Sequence, residues 1–301
     1  MPHVMDAMDQ AYSVHRLYEM SDRDAWLAEN GAKIRAIGTD GHLGASADLM
    51  DCLPNLEIIG CYGVGVDAIN LDHARKKGVV VTNTPDVLND DVANLAVALL
   101  LDVSRQIVAA DRYVRSGQWL KKNMPLAKSI RDRKVGILGL GRIGKSIAEK
   151  LQVFGCRISY HGRREQSDVS YRFFPDLVEM ARDSDYVVVI CPGGEATRNI
   201  VNREVIEALG PEGTLINVAR GSVVDEPELV SALVDGRLGA AGLDVFAAEP
   251  KVPEELFALD NVVLQPHRGS ATAETRRAMG DLVVRNLAAH FAGKTVLTPV
   301  T

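Results

Sequence analysis

Residues 139–146 read G-L-G-R-I-G-K-S. These eight residues satisfy two incompatible phosphate-binding patterns: G-x-G-x-x-G, which opens a dinucleotide-binding unit, and G-x-x-x-x-G-K-[ST], the Walker A loop. Both patterns need a strand before them and a helix after, and V-G-I-L (135–138) followed by R-I-G-K-S-I-A-E-K-L (142–151) supplies both. The chain further on separates the two. A Walker site needs an acidic residue closing an apolar strand to hold magnesium, whereas Y-V-V-V-I (186–190) runs into Cys191-Pro192. In the dinucleotide reading, Gly139 makes a tight turn, Gly141 lets the backbone approach a pyrophosphate, and Gly144 lets the helix pack on its strand. The helix N-terminus then stabilises the phosphate charge. Lys145 and Ser146 merely continue the helix.

A dinucleotide site also needs a ribose-reading residue about 20 positions on. The next strand, C-R-I-S-Y (156–160), is followed by His161-Gly162-Arg163-Arg164, with no carboxylate at the strand tip. An Asp there would bond the ribose hydroxyls and repel a 2′-phosphate, while guanidinium groups match a phosphate in geometry and charge. The loop therefore points to NADP(H), with NADH a weaker cofactor. Glu165 or Asp168 is the alternative ribose contact.

Outward from this loop, short β-branched runs alternate with helical stretches. Runs at 34–38, 57–61 and 79–82 precede it, and runs at 135–138, 156–160, 186–190, 214–218, 241–245 and 262–265 belong to its own series. The rhythm predicts an α/β protein with two Rossmann-like, doubly wound parallel-sheet domains. Two longer helices are expected, from Asp91 to about Ser116 and from Ala271 to about Ala292, the latter with Met279, Leu282, Val283, Leu287 and Phe291 on one stripe. The expected division is a substrate domain of residues 1–97 plus 271–301 and a cofactor domain of 98–270, with the ligand cleft between them.

Composition agrees with a two-domain protein. The chain has 301 residues, 47% hydrophobic and 25% charged, with a formal net charge of -6. Basic residues are dispersed, which argues against nucleic acid or an anionic membrane as partner. No apolar run approaches the roughly 20 residues of a bilayer span. The four cysteines show no C-x-x-C spacing and no His partners, so no metal site is expected, and the thiols fit a reducing cytoplasm.

Three polar residues follow strand ends: Arg220 in N-V-A-R-G-S-V-V-D-E (217–226), Glu249 in G-L-D-V-F-A-A-E-P (242–250) and His267 in Q-P-H-R-G-S-A-T (265–272). Together they suit reduction of a 2-keto acid. Arg220 can bind the carboxylate and polarise the keto oxygen, His267 can protonate that oxygen as hydride reaches carbon, and Glu249 can keep the imidazole protonated and oriented.

With these motifs, plus G-V-G-V-D (63–67) and N-T-P-D-V-L (83–88), nearly the whole chain resembles the D-isomer-specific 2-hydroxyacid dehydrogenases, particularly NADPH-linked glyoxylate and hydroxypyruvate reductases. The resemblance implies Arg220, Glu249 and His267 as the catalytic set. It further implies backbone amides of Val64 and Gly65 on the substrate carboxylate, Leu140, Gly141, Arg142 and Ile143 at the pyrophosphate, Gly162, Arg163 and Arg164 at the adenosine end, and Val218 and Asp244 near the nicotinamide. A homodimer is also implied. Two positions depart from the family pattern: Asn94, where many members are acidic, and Arg268, often apolar. A bulkier substrate such as hydroxyphenylpyruvate remains open, with Trp119 able to reach a neighbouring site or only to pack. So does a cofactor-sensing role like that of the related corepressors, although the chain has none of the disordered tails such a role favours.

Overall fold

A computed structural model describes residues 2–301, which form two compact units: residues up to Leu88 with Ala271–Thr301, and Asn89–Ser270. The first division falls at Leu88/Asn89 rather than at the expected 97/98. The helix Asn89–Arg105 is the reason, because along its length it packs on the helix Arg142–Val153 and on strands of the second unit.

In the first unit, β1 (Ala36–Asp40), β2 (Ile58–Tyr62) and β3 (Val80–Thr82) form a parallel sheet in that order. Successive side chains of a strand point to opposite faces, and β2 uses both. Ile59 and Cys61 join Leu27, Met50, Leu53 and Val81 on one side. Ile58 meets Val283 and Leu287 of the helix Ala273–Phe291 on the other. The stripe expected on that helix is buried at Met279, Leu282, Val283 and Leu287. Thr272 caps its N-terminus, accepting the Thr275 N–H at 3.2 Å.

The second unit holds seven parallel strands: β4 (Lys134–Leu138), β5 (Arg157–His161), β6 (Arg172–Phe173), β7 (Tyr186–Val189), β8 (Thr214–Asn217), β9 (Ala240–Leu243) and β10 (Val262–Leu264). Their order is β10-β9-β8-β7-β4-β5-β6, so the winding reverses between β4 and β7. Open α/β sheets bind ligands at such a reversal, outside the strand C-termini. Y-V-V-V of β7 is buried throughout, as a strand covered on both faces requires.

The single long helix expected from Asp91 to about Ser116 is two helices, Asn89–Arg105 and Ile107–Arg115, bent by 55°. Gln106 takes a left-handed backbone with φ 54, and the Asp102 carboxylate restarts the second helix by accepting the Val108 N–H at 3.0 Å. No single described helix is long and apolar enough to cross a membrane.

Candidate active site

The glycine loop leaves β4 at the reversal point, and its three glycines answer to three different constraints. Gly139 has φ 101, and a Cβ there would lie 2.7 Å from the backbone of Cys191 at the end of β7. At Gly144 a Cβ would meet the Gly139 carbonyl at 2.2 Å, so the helix could not seat against the turn. A Cβ on Gly141 would meet nothing within 4 Å. The protein itself therefore makes no demand for glycine at 141, and the open space lies at the N-terminus of the helix Arg142–Val153, where an anion is favoured. A pyrophosphate fits these residues. Leu140 is buried, with Arg142 exposed and Ile143 half-buried beside it.

Lys145 does not reach toward the loop's open side. Its Nζ lies 2.6 Å from Asp168 Oδ2, and the ammonium holds the Asp168 carboxyl below the usual range. Ser146 bonds Asp90 at 3.3 Å. Both groups that completed the Walker pattern are thus engaged within the protein. Gly162, Arg163 and Arg164 form the turn after β5, both guanidinium groups exposed and, among the described residues, without ion-pair partners. Gln166 braces this turn: its Nε2 donates to the Leu140 carbonyl at 2.8 Å and its N–H to Tyr160 Oη at 2.7 Å. Nothing in the local sequence marks Gln166, because its partners lie on another segment.

Past β8, Val218 is buried and donates its N–H to Val189 O at 3.2 Å, and the chain then turns to Arg220. The buried Asn217 side chain fixes that turn, donating to Arg220 O at 3.1 Å and accepting from Ala219 N at 3.1 Å. Arg220 Nη1 donates to Ala219 O at 2.8 Å. Gly221 lets this turn touch the loop after β9, since a Cβ on it would lie 1.9 Å from the Phe246 carbonyl carbon.

That loop carries Glu249, and the structure brings Glu249 and His267 together. His267 Nδ1 lies 2.8 Å from Glu249 Oε2, while Oε1 accepts the Phe246 N–H at 3.0 Å. Asp244 organises the histidine turn rather than presenting a free carboxylate. Its carboxylate accepts the N–H groups of Arg268 and Gly269, and its carbonyl accepts the His267 N–H at 2.9 Å. Burial pushes the Asp244 carboxyl above the usual range, and the two N–H bonds pull it partly back. The Arg268 side chain is exposed, as is Asn94 on the helix Asn89–Arg105.

In the first unit, the loop after β2 has its carbonyls tied down. Gly63 O accepts from Thr84 N at 2.9 Å, Val64 O from Asn83 Nδ2 at 2.9 Å, and Gly65 O from Cys61 Sγ at 3.5 Å. Among the described residues, the N–H groups of Val64 and Gly65 donate to no protein acceptor. Across a trans peptide the N–H points opposite to the C=O, so pinning the oxygens inward turns these two donors outward.

Comparison with known proteins assigns the class. Residues 97–269 match the profile of the D-isomer specific 2-hydroxyacid dehydrogenase, NAD binding domain. The chain is 52% identical to hydroxyphenylpyruvate reductase of Plectranthus scutellarioides over 293 residues, 97% of this chain and 94% of that protein. It is 50% identical to glyoxylate/hydroxypyruvate reductase A of Arabidopsis thaliana with the same coverage. Its fold superposes on the NADPH-dependent glyoxylate/hydroxypyruvate reductase of Sinorhizobium meliloti, solved with NADP and malonate, with a TM-score of 0.92 and 42% identity over 100% of this chain and 94% of that one. The chain belongs to the D-isomer-specific 2-hydroxyacid dehydrogenase family and is an oxidoreductase using a nicotinamide cofactor.

Proposed function

We propose that the protein reduces a small 2-keto acid, glyoxylate or hydroxypyruvate, to the D-2-hydroxy acid with NADPH. The observation that carries this reading is the 2.8 Å contact between His267 Nδ1 and Glu249 Oε2 past the C-terminal ends of the strands that carry the cofactor loop. When bound, the nicotinamide supplies hydride to the carbonyl carbon. With Nδ1 committed to Glu249, His267 delivers its proton from Nε2 to the keto oxygen, and Glu249 holds the ring in the orientation for that transfer. Arg220 binds the carboxylate and polarises the keto oxygen, and the Val64 and Gly65 amides hold the carboxylate. Val218 and Asp244 serve the nicotinamide end, Asp244 through the turn that carries His267.

NADP preference is supported by two guanidinium groups after β5 that have no ion-pair partner among the described residues and by Asp168 being occupied by Lys145, which leaves Glu165 as the remaining carboxylate on that turn. Hydroxyphenylpyruvate is a second reading, favoured by the 52% identical relative that carries its name. Steady-state kcat/KM values for glyoxylate, hydroxypyruvate and hydroxyphenylpyruvate, each with NADPH and NADH, decide between them. Failure of a folded, cofactor-binding sample to turn over any of the three overturns both in favour of a cofactor sensor.

We read the chain also as a cytoplasmic homodimer. The dimer is supported by apolar side chains exposed along one stretch, Ile107, Val114, Trp119, Leu120 and Leu126, the last 99% exposed. A monomer mass by light scattering at micromolar concentration sinks that part.

A further inference from the structure

The two outward amides after β2 depend on a segment more than two hundred residues away in sequence. Asn83, whose Nδ2 holds Val64 O, is itself gripped by Thr298. The Asn83 N–H donates to Thr298 O at 3.3 Å, and Thr298 Oγ1 donates to Asn83 O at 2.6 Å. Thr298 is fixed in turn by Asn286, 1% exposed on the helix Ala273–Phe291. Asn286 Nδ2 donates to Thr298 Oγ1 at 2.8 Å and to Leu282 O at 2.9 Å, while Oδ1 accepts from Leu297 N at 2.8 Å and Thr298 N at 3.1 Å. Every donor and acceptor of that amide is used. The rest of the segment lies along β3, with Val300 N donating to Val81 O at 2.7 Å and Val81 N to Thr301 Oγ1 at 2.9 Å.

The chemistry of the peptide unit gives this chain of bonds a consequence. The Val64 N–H shares its peptide plane with Gly63 O, held by Thr84 N, and the Gly65 N–H shares its plane with Val64 O, held by Asn83. A hydrogen bond accepted by a peptide oxygen polarises the N–H of the same unit and makes it a stronger donor. It also fixes the direction in which that N–H points. Asn83 is half-buried and its bond to Val64 is exposed, so the bond adds little to stability while setting the orientation of one plane.

We propose that Asn83 and Thr298 are positioning residues that set the carboxylate affinity of the Val64–Gly65 amide pair, with Asn286 as their buried anchor. The proposal rests on the reading, made above, that those amides hold the substrate carboxylate. Neither residue touches the reacting atoms, so the effect falls on binding of the acid rather than on the chemical step.

The test uses the full chain with NADPH present and oxamate as an unreactive carboxylate probe. Asn83→Ala and Thr298→Val each weaken oxamate binding about fivefold to tenfold and raise KM for glyoxylate to a similar degree. In both, kcat changes by less than about twofold. The NADPH Kd stays near wild type in both. The melting temperature stays near wild type in Asn83→Ala and falls in Thr298→Val, which strips the buried Asn286 amide of an acceptor. Thr298→Ser, which keeps the hydroxyl, restores oxamate affinity. Unchanged oxamate affinity in both variants overturns the proposal. So does a loss that Thr298→Ser shares, since that is a packing effect of the missing methyl group. Amide exchange at Val64 and Gly65, followed by NMR in wild type, separates the two levels. If oxamate binds without protecting those amides, the carboxylate reading itself falls. If it protects them equally and binds equally well in wild type and Asn83→Ala, the carboxylate reading stands and the positioning role falls.

Discussion

His267 Nδ1 lies 2.8 Å from Glu249 Oε2, and the other oxygen of that carboxylate is held by the Phe246 N–H at 3.0 Å. The imidazole is therefore oriented by a group whose own orientation is fixed by backbone. Replacing His267 with Ala lowers kcat by about 10²–10⁴-fold, the range of a lost general acid. Glu249→Gln keeps an acceptor but drops the charge, and lowers kcat about tenfold. Steady-state kinetics at saturating cofactor check both. Wild-type turnover in His267→Ala removes it from the mechanism.

The exposed turn after β5 makes a cofactor prediction. Neutralising Arg163 and Arg164 together weakens NADPH about tenfold to a hundredfold, as expected for charge-assisted bonds to a phosphate. NADH binding changes little. Fluorescence titration with each cofactor measures the ratio, and equal losses show that these arginines do not read a 2′-phosphate.

Gly141 and Gly144 should part company. Gly144→Ala drives a Cβ against the Gly139 carbonyl and costs about 1–3 kcal/mol of stability. Gly141→Ala meets no protein atom, so it melts like wild type and loses cofactor affinity. Thermal melts paired with NADPH titration test this, and intact NADPH binding by Gly141→Ala counts against the pyrophosphate lying there.

The ion pair of Lys145 with Asp168 is partly exposed, at 32% and 66%, and such pairs contribute about 0–1 kcal/mol. Lys145→Ala accordingly leaves both the melting temperature and the NADPH KM close to wild type. A Walker lysine replaced by alanine would abolish phosphate binding, so a large loss of affinity revives that pattern.

Asp244 gives a pH-dependent prediction. A carboxyl whose folded pKa is raised holds its proton more tightly in the folded chain than in the unfolded one. Its contribution to stability is full below the ordinary carboxylate value, about 4, and is lost as pH rises through the raised value. Asp244→Asn sets an amide N–H against a backbone donor and costs about 1–3 kcal/mol. That deficit narrows as pH rises from about 4 to 7, because the variant has no carboxyl to ionise. Urea unfolding at the two ends of this range measures it. A deficit independent of pH shows that the carboxyl is not raised.

The parallel strands were legible wherever apolar runs sat between turn residues, as in Y-V-V-V of β7 and T-L-I-N of β8. Arg172–Phe173 escaped because two residues carry no periodicity, and the break at Gln106 escaped because the apolar pattern continues across it. The candidate site divides in the same way. Arg220, Glu249 and His267 each sit in a contiguous motif at a strand end, where chemistry shows locally. What braces the site is long-range: Gln166 reaches Leu140, and Thr298 reaches Asn83 across 215 residues. No local spacing rule encodes such pairs, since they exist only once the sheets have formed.

His267 takes a left-handed backbone with φ 53, a region that Asn, Asp and His enter more readily than other side chains. Alanine at this position loses the imidazole and also sits in a conformation it disfavours, so a single rate constant would mix two effects. Asparagine suits the same dihedral and cannot act as a proton donor of comparable acidity. The turn's geometry thereby selects His267→Asn as the sharper chemical knockout. The gap in melting temperature between the Asn and Ala variants then isolates the conformational preference of one residue from the reaction it serves.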